Sequence, residues 1–324
     1  MIVLEQQKAY SYPPMASTRI QIQDILELKK KKNAIILAHY YQDPDIQDLA
    51  DVIGDSLDLA RAAQKTKADR ILFAGVHFMA EGAKILNPSR QVLVPDMKAG
   101  CSLADGCPPE KFIPFKNSIP NVFVVSYINC SAAIKAESDV ICTSTNAERI
   151  ISKIPKDKNI LFAPDKNLGA YLQKKSGREM KLWQGCCMVH ETFSQRKIID
   201  LMLKHPESEL IAHPECEEPL LARAGFIGST SALLRHVIES PKKSFIVATE
   251  AGILHQMKKR APSKELIPAP PVANCACNEC PYMKLNTLEK IYHALDTEGP
   301  EIVMDEATRV RALKPLELML EWSQ

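Results

Sequence analysis

Short apolar runs alternate with helical patterns of apolar and polar residues along most of the chain. The first run ends before His39, and the next three read VIGD at Val52, ILFAG at Ile71 and QVLVP at Gln91. Runs of this length that are separated by helical stretches are typical of βαβ units. The pattern therefore predicts an α/β fold in which helices cover both faces of a parallel sheet.

This order of elements occurs three times in the sequence. The copies that begin at Ala38, Ser126 and Ala212 align without a gap, and in each a ring-bearing residue is followed 17 positions later by a hydroxyl residue. The three pairs are His39 and Ser56, Tyr127 and Ser144, and His213 and Thr230. All α/β segments resemble one another to some extent, but chance likeness would not preserve this offset three times, so we infer an internal triplication.

The triplication predicts three homologous αβα domains with parallel sheets, arranged about a pseudo-threefold axis. Their expected limits are residues 1–106 with an N-terminal extension, 107–192, and 193–324 with a C-terminal helical tail. Four leucines predict that this tail forms a helix that packs back on the domains: Leu313, Leu316, Leu318 and Leu320.

Two local signals predict where helices begin. Asp43 precedes Pro44, and proline is favoured at the first helical position. Thr145 is followed three residues later by Glu148, which is the spacing of a capping box.

Polar residues at equivalent positions of the copies form the candidate site, because ligands of parallel sheets bind at the carboxyl ends of the strands. Rings follow such ends in all three copies: His39, Tyr127 and His213. Hydroxyl residues precede the next helix: Ser56, Ser144 and Thr230. Taken singly, such a hydroxyl is most often a helix cap. Three of them around one axis, with the unpaired helix amides behind them, predict a ligand with several negative groups.

Further chemical groups stand two positions after the rings. These residues are Tyr41, Asn129 and Glu215. A carboxylate, phenols and imidazoles in one cavity suit proton transfer.

Three of the ten cysteines follow the last strand of a copy: Cys101, Cys187 and Cys280. A threefold arrangement would bring their thiolates together, and three thiolates leave one corner of a four-iron cluster open to a hydroxyl or carboxylate. Four others lie within or beside apolar elements and are interpreted as inert thiols: Cys130, Cys142, Cys186 and Cys216. Cys107 is a spare thiol that could compete with Cys101.

A structural zinc site is the alternative for the last cysteine. Cys275, Cys277 and Cys280 have nearly the spacing of a zinc knuckle. No fourth cysteine or histidine completes the set locally, since His293 lies 13 residues beyond Cys280.

Composition excludes several classes of function. The 324 residues include 41 basic and 39 acidic side chains, a net charge of +2, which argues against nucleic acid or a membrane surface as partner. The N-terminus lacks a cationic start followed by an apolar core, and no window holds 18 uninterrupted apolar residues. We therefore expect a cytoplasmic, reducing location, where cysteines serve as metal ligands or catalytic thiols.

The chain resembles the quinolinate synthase family from about residue 20 to 320. Eight motifs carry the resemblance in order: AHYYQ at Ala38, GDSLDLA at Gly54, AGCSLADGCP at Ala99, SYINCSA at Ser126, GCCMVHE at Gly185, HPEC at His213, GST at Gly228 and ECPYMKLNTLEK at Glu279. The resemblance implies three αβα domains about a pseudo-threefold axis. It also implies one [4Fe-4S] cluster per chain at their centre, bound by Cys101, Cys187 and Cys280 with one open iron site.

The resemblance further implies a transferase of de novo NAD biosynthesis that condenses iminoaspartate (iminosuccinate) with dihydroxyacetone phosphate to quinolinate, phosphate and water. The cluster would act as a Lewis acid, and an aspartate oxidase or dehydrogenase would be a transient partner. The implied substrate-binding residues are His39, Ser56, Tyr127, Ile128, Asn129, Ser144, His213, Pro214, Glu215 and Thr230. We expect Glu215, Tyr41 and Tyr127 to transfer protons, and His39 and His213 to orient the substrate.

One departure from the family pattern concerns the third ligand. Many members read CxxCxxC there, whereas this chain reads CACNEC from Cys275 to Cys280. A Cys277–Cys280 disulfide formed under oxidation would remove a ligand and act as a redox switch.

Two other classes of function remain open: a binding protein for a dicarboxylate or sugar phosphate, and a cluster-dependent electron carrier or DNA-repair protein.

Overall fold

Twelve strands form three parallel four-stranded sheets in the computed structural model, which describes residues 21–272 and 278–324. The first sheet contains β1 (Ala34–His39), β2 (Val52–Gly54), β3 (Arg70–Ala74) and β4 (Gln91–Leu93). The second contains β5 (Val122–Tyr127), β6 (Val140–Cys142), β7 (Asn159–Ala163) and β8 (Met180–Leu182). The third contains β9 (Glu209–Ala212), β10 (Phe226–Ile227), β11 (Ser244–Ala248) and β12 (Glu265–Pro268).

The three sheets share one strand order, which is β2-β1-β3-β4, β6-β5-β7-β8 and β10-β9-β11-β12. In each, the short second strand pairs with the carboxyl end of the first, so that His39 lies opposite Gly54 and Tyr127 opposite Cys142. The loops that follow these strands therefore leave the sheet at the same edge. The twelve strands coincide with the twelve apolar runs of the three copies, and the predicted α/β class is confirmed.

Helices connect the strands and cover the sheets. Fifteen α-helices lie in the described ranges: α1 (Ile22–Lys31), α2 (Pro44–Leu49), α3 (Ser56–Lys65), α4 (His77–Leu86), α5 (Ser102–Asp105), α6 (Pro109–Asn117), α7 (Ala132–Lys135), α8 (Ala147–Lys153), α9 (Lys166–Ser176), α10 (Gln195–Lys204), α11 (Glu218–Leu221), α12 (Thr230–Glu239), α13 (Ile253–Arg260), α14 (Leu288–Thr297) and α15 (Glu306–Trp322). A 3₁₀ turn spans Met283–Leu285. No helix in these ranges has both the length and the apolar character needed to cross a bilayer.

The two predicted helix starts had different outcomes. Pro44 is the first residue of α2, as predicted, because the N–H that proline lacks would be unpaired there in any case. The capping box at Thr145 and Glu148 is wrong, since the N-cap of α8 is Asn146. The Thr145 hydroxyl lies 2.7 Å from Asp55 Oδ2 and 2.8 Å from Ser229 Oγ. It therefore contacts the first and third repeats and does not cap its own helix.

The largest buried cluster is continuous through the first two sheets and includes Ile71 from β3 and Ile160 from β7. α15 contributes Leu316 and Met319 to it, both fully buried. The predicted tail helix therefore packs back on the fold, which confirms that expectation. Substituting Leu316 by alanine there would cost about 2–5 kcal/mol of stability.

Two other contacts join parts of the chain that are distant in sequence. α14 packs with α1 on the first sheet, where Ile291 and Leu295 lie against Ile25. Tyr40, from the loop after β1, is buried in the core of the third sheet beside Leu233. This insertion of Tyr40 fixes the loop that carries Tyr41.

Candidate active site

Loops that follow strands of all three sheets line one cavity, which encloses about 710 Å³ of space free of atoms, including open solvent at its mouth. Twelve of the predicted residues line it: His39, Tyr41, Ser56, Cys101, Tyr127, Asn129, Ser144, Cys187, His213, Glu215, Thr230 and Cys280. Ile128 and Pro214 do not, and both are buried beside the lining residues. The triplication thus brings together side chains that lie up to 241 positions apart, from His39 to Cys280.

The three lining cysteines occupy the same place in the backbone of their repeats. In each repeat, an N–H just beyond the third strand donates to the carbonyl two residues before the cysteine. The bonds are His77 N–H to Ala99 O (2.6 Å), Lys166 N–H to Gly185 O (2.8 Å) and Ala251 N–H to Asn278 O (2.9 Å). The equivalence that the sequence predicts for Cys101, Cys187 and Cys280 therefore extends to the hydrogen bonds of the main chain.

Main-chain N–H groups also approach each sulfur from residues just beyond it: Leu103 and Ala104 at Cys101, His190 at Cys187, and Tyr282 and Met283 at Cys280. Burial is the largest influence on these thiols and raises the pKa of Cys101 to about 12. The charge of Cys280 raises the pKa of Cys101 further, and that of Cys101 raises the pKa of Cys187. Ionising all three thiols together therefore requires a positively charged group between them.

The distances between candidate ligand atoms indicate which residues could bind a single metal ion. Within the described residues, one group has its candidate ligand atoms all within 4.8 Å of one another, namely Cys187, His190 and Glu215. The three thiols together do not form such a group, although all three line the cavity.

The remaining described cysteines do not line the cavity. Cys107 and Cys130 are buried in a separate apolar cluster with Phe112, so Cys107 does not share the cavity with Cys101. Cys142 and Cys216 are buried, and the half-buried Cys186 thiol donates to Glu191 Oε2 at 2.6 Å. Cys275 and Cys277 lie outside the described residues, and the zinc and disulfide predictions that involve them remain predictions.

Glu215 is the buried carboxylate at the centre of the polar lining. Tyr127 donates its phenol proton to Glu215 Oε1 at 2.5 Å, and His190 Nδ1 lies 3.0 Å from Glu215 Oε2. Burial acts to raise the pKa of Glu215, but the nearby His190 and the hydrogen bonds from His190 and Tyr127 outweigh it and lower the pKa below its usual value. The carboxylate is therefore ionised at neutral pH.

Both predicted histidines are buried and neutral. Burial lowers the pKa of His39 to about 4 and that of His213 to about 3, against the opposing charges of Asp55 and Glu215. Because a neutral His213 brings no positive charge to Glu215, the hydrogen bonds from Tyr127 and His190 are the contacts that stabilise the carboxylate. Neutral imidazoles can still donate or accept hydrogen bonds to a ligand.

His190 was missed by the sequence analysis, although it lies in the GCCMVHE motif. Its ring stacks on His213 with centroids 4.7 Å apart, and its Nδ1 lies 3.3 Å from Cys187 Sγ. Its Nε2 lies 3.0 Å from Thr249 Oγ1. Its position three residues after a predicted ligand was the one signal available in the sequence.

Thr249 connects this histidine to Tyr41 and was also missed. The Tyr41 hydroxyl lies 2.9 Å from Thr249 Oγ1 and 2.8 Å from Thr230 Oγ1. Together with the bonds of His190, a hydrogen-bond chain runs through Tyr41, Thr249, His190, Glu215 and Tyr127. Burial raises the pKa of both tyrosines well above 10, so both phenols carry their protons.

Some amides at the predicted helix starts are already bonded within the protein, and the anion sites expected there remain a prediction. At α3 the N–H groups of Leu57 and Asp58 are bonded to Asp55 Oδ1, and at α12 the N–H of Ala232 is bonded to Ser229 Oγ. These amides are therefore occupied by side chains of the protein itself. The predicted hydroxyls still line the cavity, with Ser144 Oγ 3.2 Å from His213 Nε2.

Comparison with known proteins identifies similar chains. A family model described as "Quinolinate synthetase A protein" matches residues 23–321. A quinolinate synthase of Nostoc punctiforme (strain ATCC 29133 / PCC 73102) is 64% identical over 299 residues, which cover 92% of either chain. That of Trichormus variabilis (strain ATCC 29413 / PCC 7937) is 64% identical over 91% of either chain. That of Chloroherpeton thalassium (strain ATCC 35110 / GB-78) is 61% identical over 93% of this chain and 94% of its own.

Among solved structures, the E-1-hydroxy-2-methyl-but-2-enyl-4-diphosphate reductase from Plasmodium falciparum aligns with 86% of this chain and 93% of its own. The identity is 12% and the TM-score 0.34, which is too low to bear on the fold or the function.

Proposed function

Since the chain belongs to the quinolinate synthase family, we propose that it condenses iminoaspartate with dihydroxyacetone phosphate and releases quinolinate, phosphate and water. The reaction would be a step of de novo NAD synthesis in the cytoplasm, with an aspartate oxidase or dehydrogenase as the source of iminoaspartate. The observation that carries the proposal is the single cavity lined by three equivalent thiols and by titratable side chains from three sheets.

The thiols fit a [4Fe-4S] cluster as the resident cofactor, with Cys101, Cys187 and Cys280 as its ligands. They line one cavity at equivalent positions of the backbone, and main-chain N–H groups that approach each sulfur favour the thiolate form. Three protein ligands leave one iron open, and when bound the cluster would supply a Lewis acid for a hydroxyl or carboxylate of the substrate.

A pseudo-threefold axis through the cysteine loops is the arrangement we propose for the three repeats. It is supported by the strand order common to the sheets and by the hydrogen bond that precedes each cysteine. Under such symmetry, equivalent loops present equivalent ligands to one central group.

The polar lining would bind and orient the substrates. We assign the anionic groups to the hydroxyls and neutral rings at the cavity: His39, Ser56, Asn129, Ser144, His213 and Thr230. Any contact from Ile128 or Pro214 would have to come from the main chain. Because Asp55 already accepts the N–H groups of Leu57 and Asp58, side chains rather than these two amides would make the contacts at α3.

Glu215, Tyr127 and Tyr41 would move the protons. Condensation removes a proton from carbon and dehydration delivers one to a leaving oxygen, so both a base and an acid are needed. Glu215 is ionised and would accept a proton at Oε1 or Oε2, whereas the phenols of Tyr127 and Tyr41 retain theirs and would donate. His190 and Thr249 would pass protons between Tyr41 and Glu215 along the hydrogen-bond chain.

Anaerobic purification with iron and sulfide analysis tests the proposal first. We expect about four irons per chain in the wild type and a broad absorption band near about 400 nm. Cys101→Ala, Cys187→Ala and Cys280→Ala should each lose the iron and the band, while Cys186→Ala, next to a ligand but outside the cavity lining, should keep both. Finding zinc, or finding that Cys280→Ala alone matters, would contradict the cluster site.

Turnover separates the proposed enzyme from the two alternative classes. The reconstituted protein, supplied with iminoaspartate and dihydroxyacetone phosphate, should form quinolinate. A binding protein would retain a substrate without forming product, and an electron carrier would show reversible reduction of its cluster without product.

A further inference from the structure

Two fully buried carboxylates lie behind the second and third cysteine loops. Asp165 stands two residues after the end of β7, and Glu250 stands two residues after the end of β11. They therefore occupy equivalent positions in their repeats. Neither lines the cavity, so neither would contact the substrate.

Glu250 binds the main chain of the third cysteine loop directly. Its Oε1 accepts the N–H of Cys280 at 3.1 Å, and its Oε2 accepts the N–H of Gly252 at 2.7 Å. A buried carboxylate is unfavourable unless hydrogen bonds replace its water, and here one of the two bonds comes from the ligand cysteine itself. A Cβ added at Gly252 would lie 2.9 Å from Glu250 Oε2, so the approach requires glycine.

Asp165 occupies the corresponding place beside the second loop. Its Oδ1 accepts the N–H of Leu168 at 2.7 Å, whereas its Oδ2 is buried without a hydrogen-bond partner among the described residues. The main chain of Asp165 forms an isolated parallel β-bridge with Gly185, two residues before Cys187, so Asp165 lies beside the loop that leads to this cysteine. A buried carboxylate oxygen without a partner is unfavourable, and an N–H of this loop would satisfy it.

The first repeat has no acidic residue at this position. Val76 stands at the equivalent position, two residues after the end of β3. Cys101 is instead the N-cap residue of α5, and two N–H groups of that helix approach its sulfur. A helix start orients the first cysteine, whereas the second and third cysteines precede no α-helix directly.

We propose that Asp165 and Glu250 are positioning residues that hold Cys187 and Cys280 in the geometry of cluster ligands by accepting their backbone N–H groups. The inference rests on the proposed function, because it concerns the ligands of the same cluster. Partners that orient metal ligands in this way commonly change metal affinity by about 10- to 100-fold when they are removed.

The test substitutes each acid by its amide, Asp165→Asn and Glu250→Gln, which preserves size but replaces one acceptor oxygen by an NH₂ donor. Asp139→Asn is the control, because Asp139 Oδ2 also accepts a backbone N–H, that of Val124 at 2.7 Å, but the side chain is exposed and precedes the start of β6, whereas the cysteine loops follow the ends of strands. Each purified holoprotein is mixed anaerobically with an iron chelator, and the loss of absorbance near about 400 nm is followed.

We expect both amide variants to lose the cluster about 10-fold faster than the wild type or more, and the control to match the wild type. The electron paramagnetic resonance spectrum of the reduced cluster should shift in the same two variants. Circular dichroism establishes that they are folded, and if Glu250→Gln does not fold, Glu250→Asp, which keeps both acceptor oxygens, should lose its cluster at an intermediate rate.

Wild-type rates of cluster loss in both amide variants would overturn the inference and leave the proposed function intact. A wild-type rate in Glu250→Asp, measured in place of an unfolded Glu250→Gln, would overturn it for Cys280. A wild-type protein without a four-iron cluster would instead contradict the proposed function, and the inference would fall with it.

Discussion

The thiols and the polar side chains of the cavity differ in how closely the three repeats match. The thiol set, Cys101, Cys187 and Cys280, is one residue type at one position, with the same backbone hydrogen bond before each member. The polar set carries different groups at equivalent positions: His39, Tyr127 and His213, and two residues later Tyr41, Asn129 and Glu215. Equivalent cysteines suit a group with equivalent corners, whereas the two proposed substrates, which have different ends, require different side chains. The three repeats therefore remain alike at the thiol set and have diverged at the polar set.

The largest expected effect tests the equivalence of the thiol set. Cys101→Ala, Cys187→Ala and Cys280→Ala should be indistinguishable, each abolishing iron binding and quinolinate formation, because a cluster with three protein ligands depends on all of them. Iron analysis and a turnover assay on the three variants measure this. Substantial iron in one variant alone would break the equivalence of the repeats.

Unequal effects are expected within the polar set. Glu215→Gln should lower kcat by about 10²- to 10⁴-fold, since it removes the base, while iron content stays at the wild-type value. Asn129→Ala, at the equivalent position of the second repeat, should raise KM and leave kcat within about 10-fold of the wild type, because it removes a binding contact and not a proton-transfer group. Steady-state kinetics on iron-matched samples checks both, and full turnover by Glu215→Gln would remove the assigned role.

A smaller effect is expected from substituting Thr249, whose hydroxyl connects Tyr41 to His190. Thr249→Val removes the hydroxyl between Tyr41 and His190 and should lower kcat by about 10-fold, which is less than the about 10²- to 10⁴-fold expected for a group that exchanges a proton with the substrate directly. Thr249→Ser keeps the hydroxyl and should restore turnover. If valine and serine variants have the same kcat, the chain of hydrogen bonds does not carry protons.

An effect on stability and not on turnover is expected from His39, as a dependence of the free energy of unfolding on pH. Its pKa is about 4 in the folded protein, against 6.5 for a histidine exposed to water in the unfolded chain, so between these values the unfolded chain binds the proton and the folded chain does not. Stability should therefore fall as pH drops from 6.5 towards 4, by up to about 1.4 kcal/mol per pH unit. Anaerobic denaturation curves for wild type and His39→Gln measure this slope, which should be shallower in the variant.

Much of the fold could be predicted because the signals are local. Each of the twelve strands is a short apolar run, and α2 begins at Pro44 because proline has a fixed backbone preference. The capping box at Thr145 failed for the opposite reason, since Asp55 and Ser229 from two other repeats compete for its hydroxyl. Local preference is overridden where repeats meet.

The residues of the candidate site also fall into those that the sequence predicted and those that it did not. Internal repetition identified Cys101, Cys187 and Cys280 and nine of the polar residues that line the cavity, because equivalent positions of the three copies lie at the same ends of their strands. His190 and Thr249 have no counterpart that repetition could single out, and neither do Asp165 and Glu250, since Val76 replaces them in the first copy.

The sequence by itself determined the number of repeats, the order of their strands along the chain and most of the predicted positions that line the cavity, because these follow from apolar periodicity and from spacing. Only the tertiary structure decided which groups touch across repeats. It placed His190 against Glu215, and it turned the carboxylate of Glu250 towards the backbone of Cys280. Hydrogen bonds between distant segments depend on distances of a few tenths of an ångström, which packing sets and periodicity does not encode.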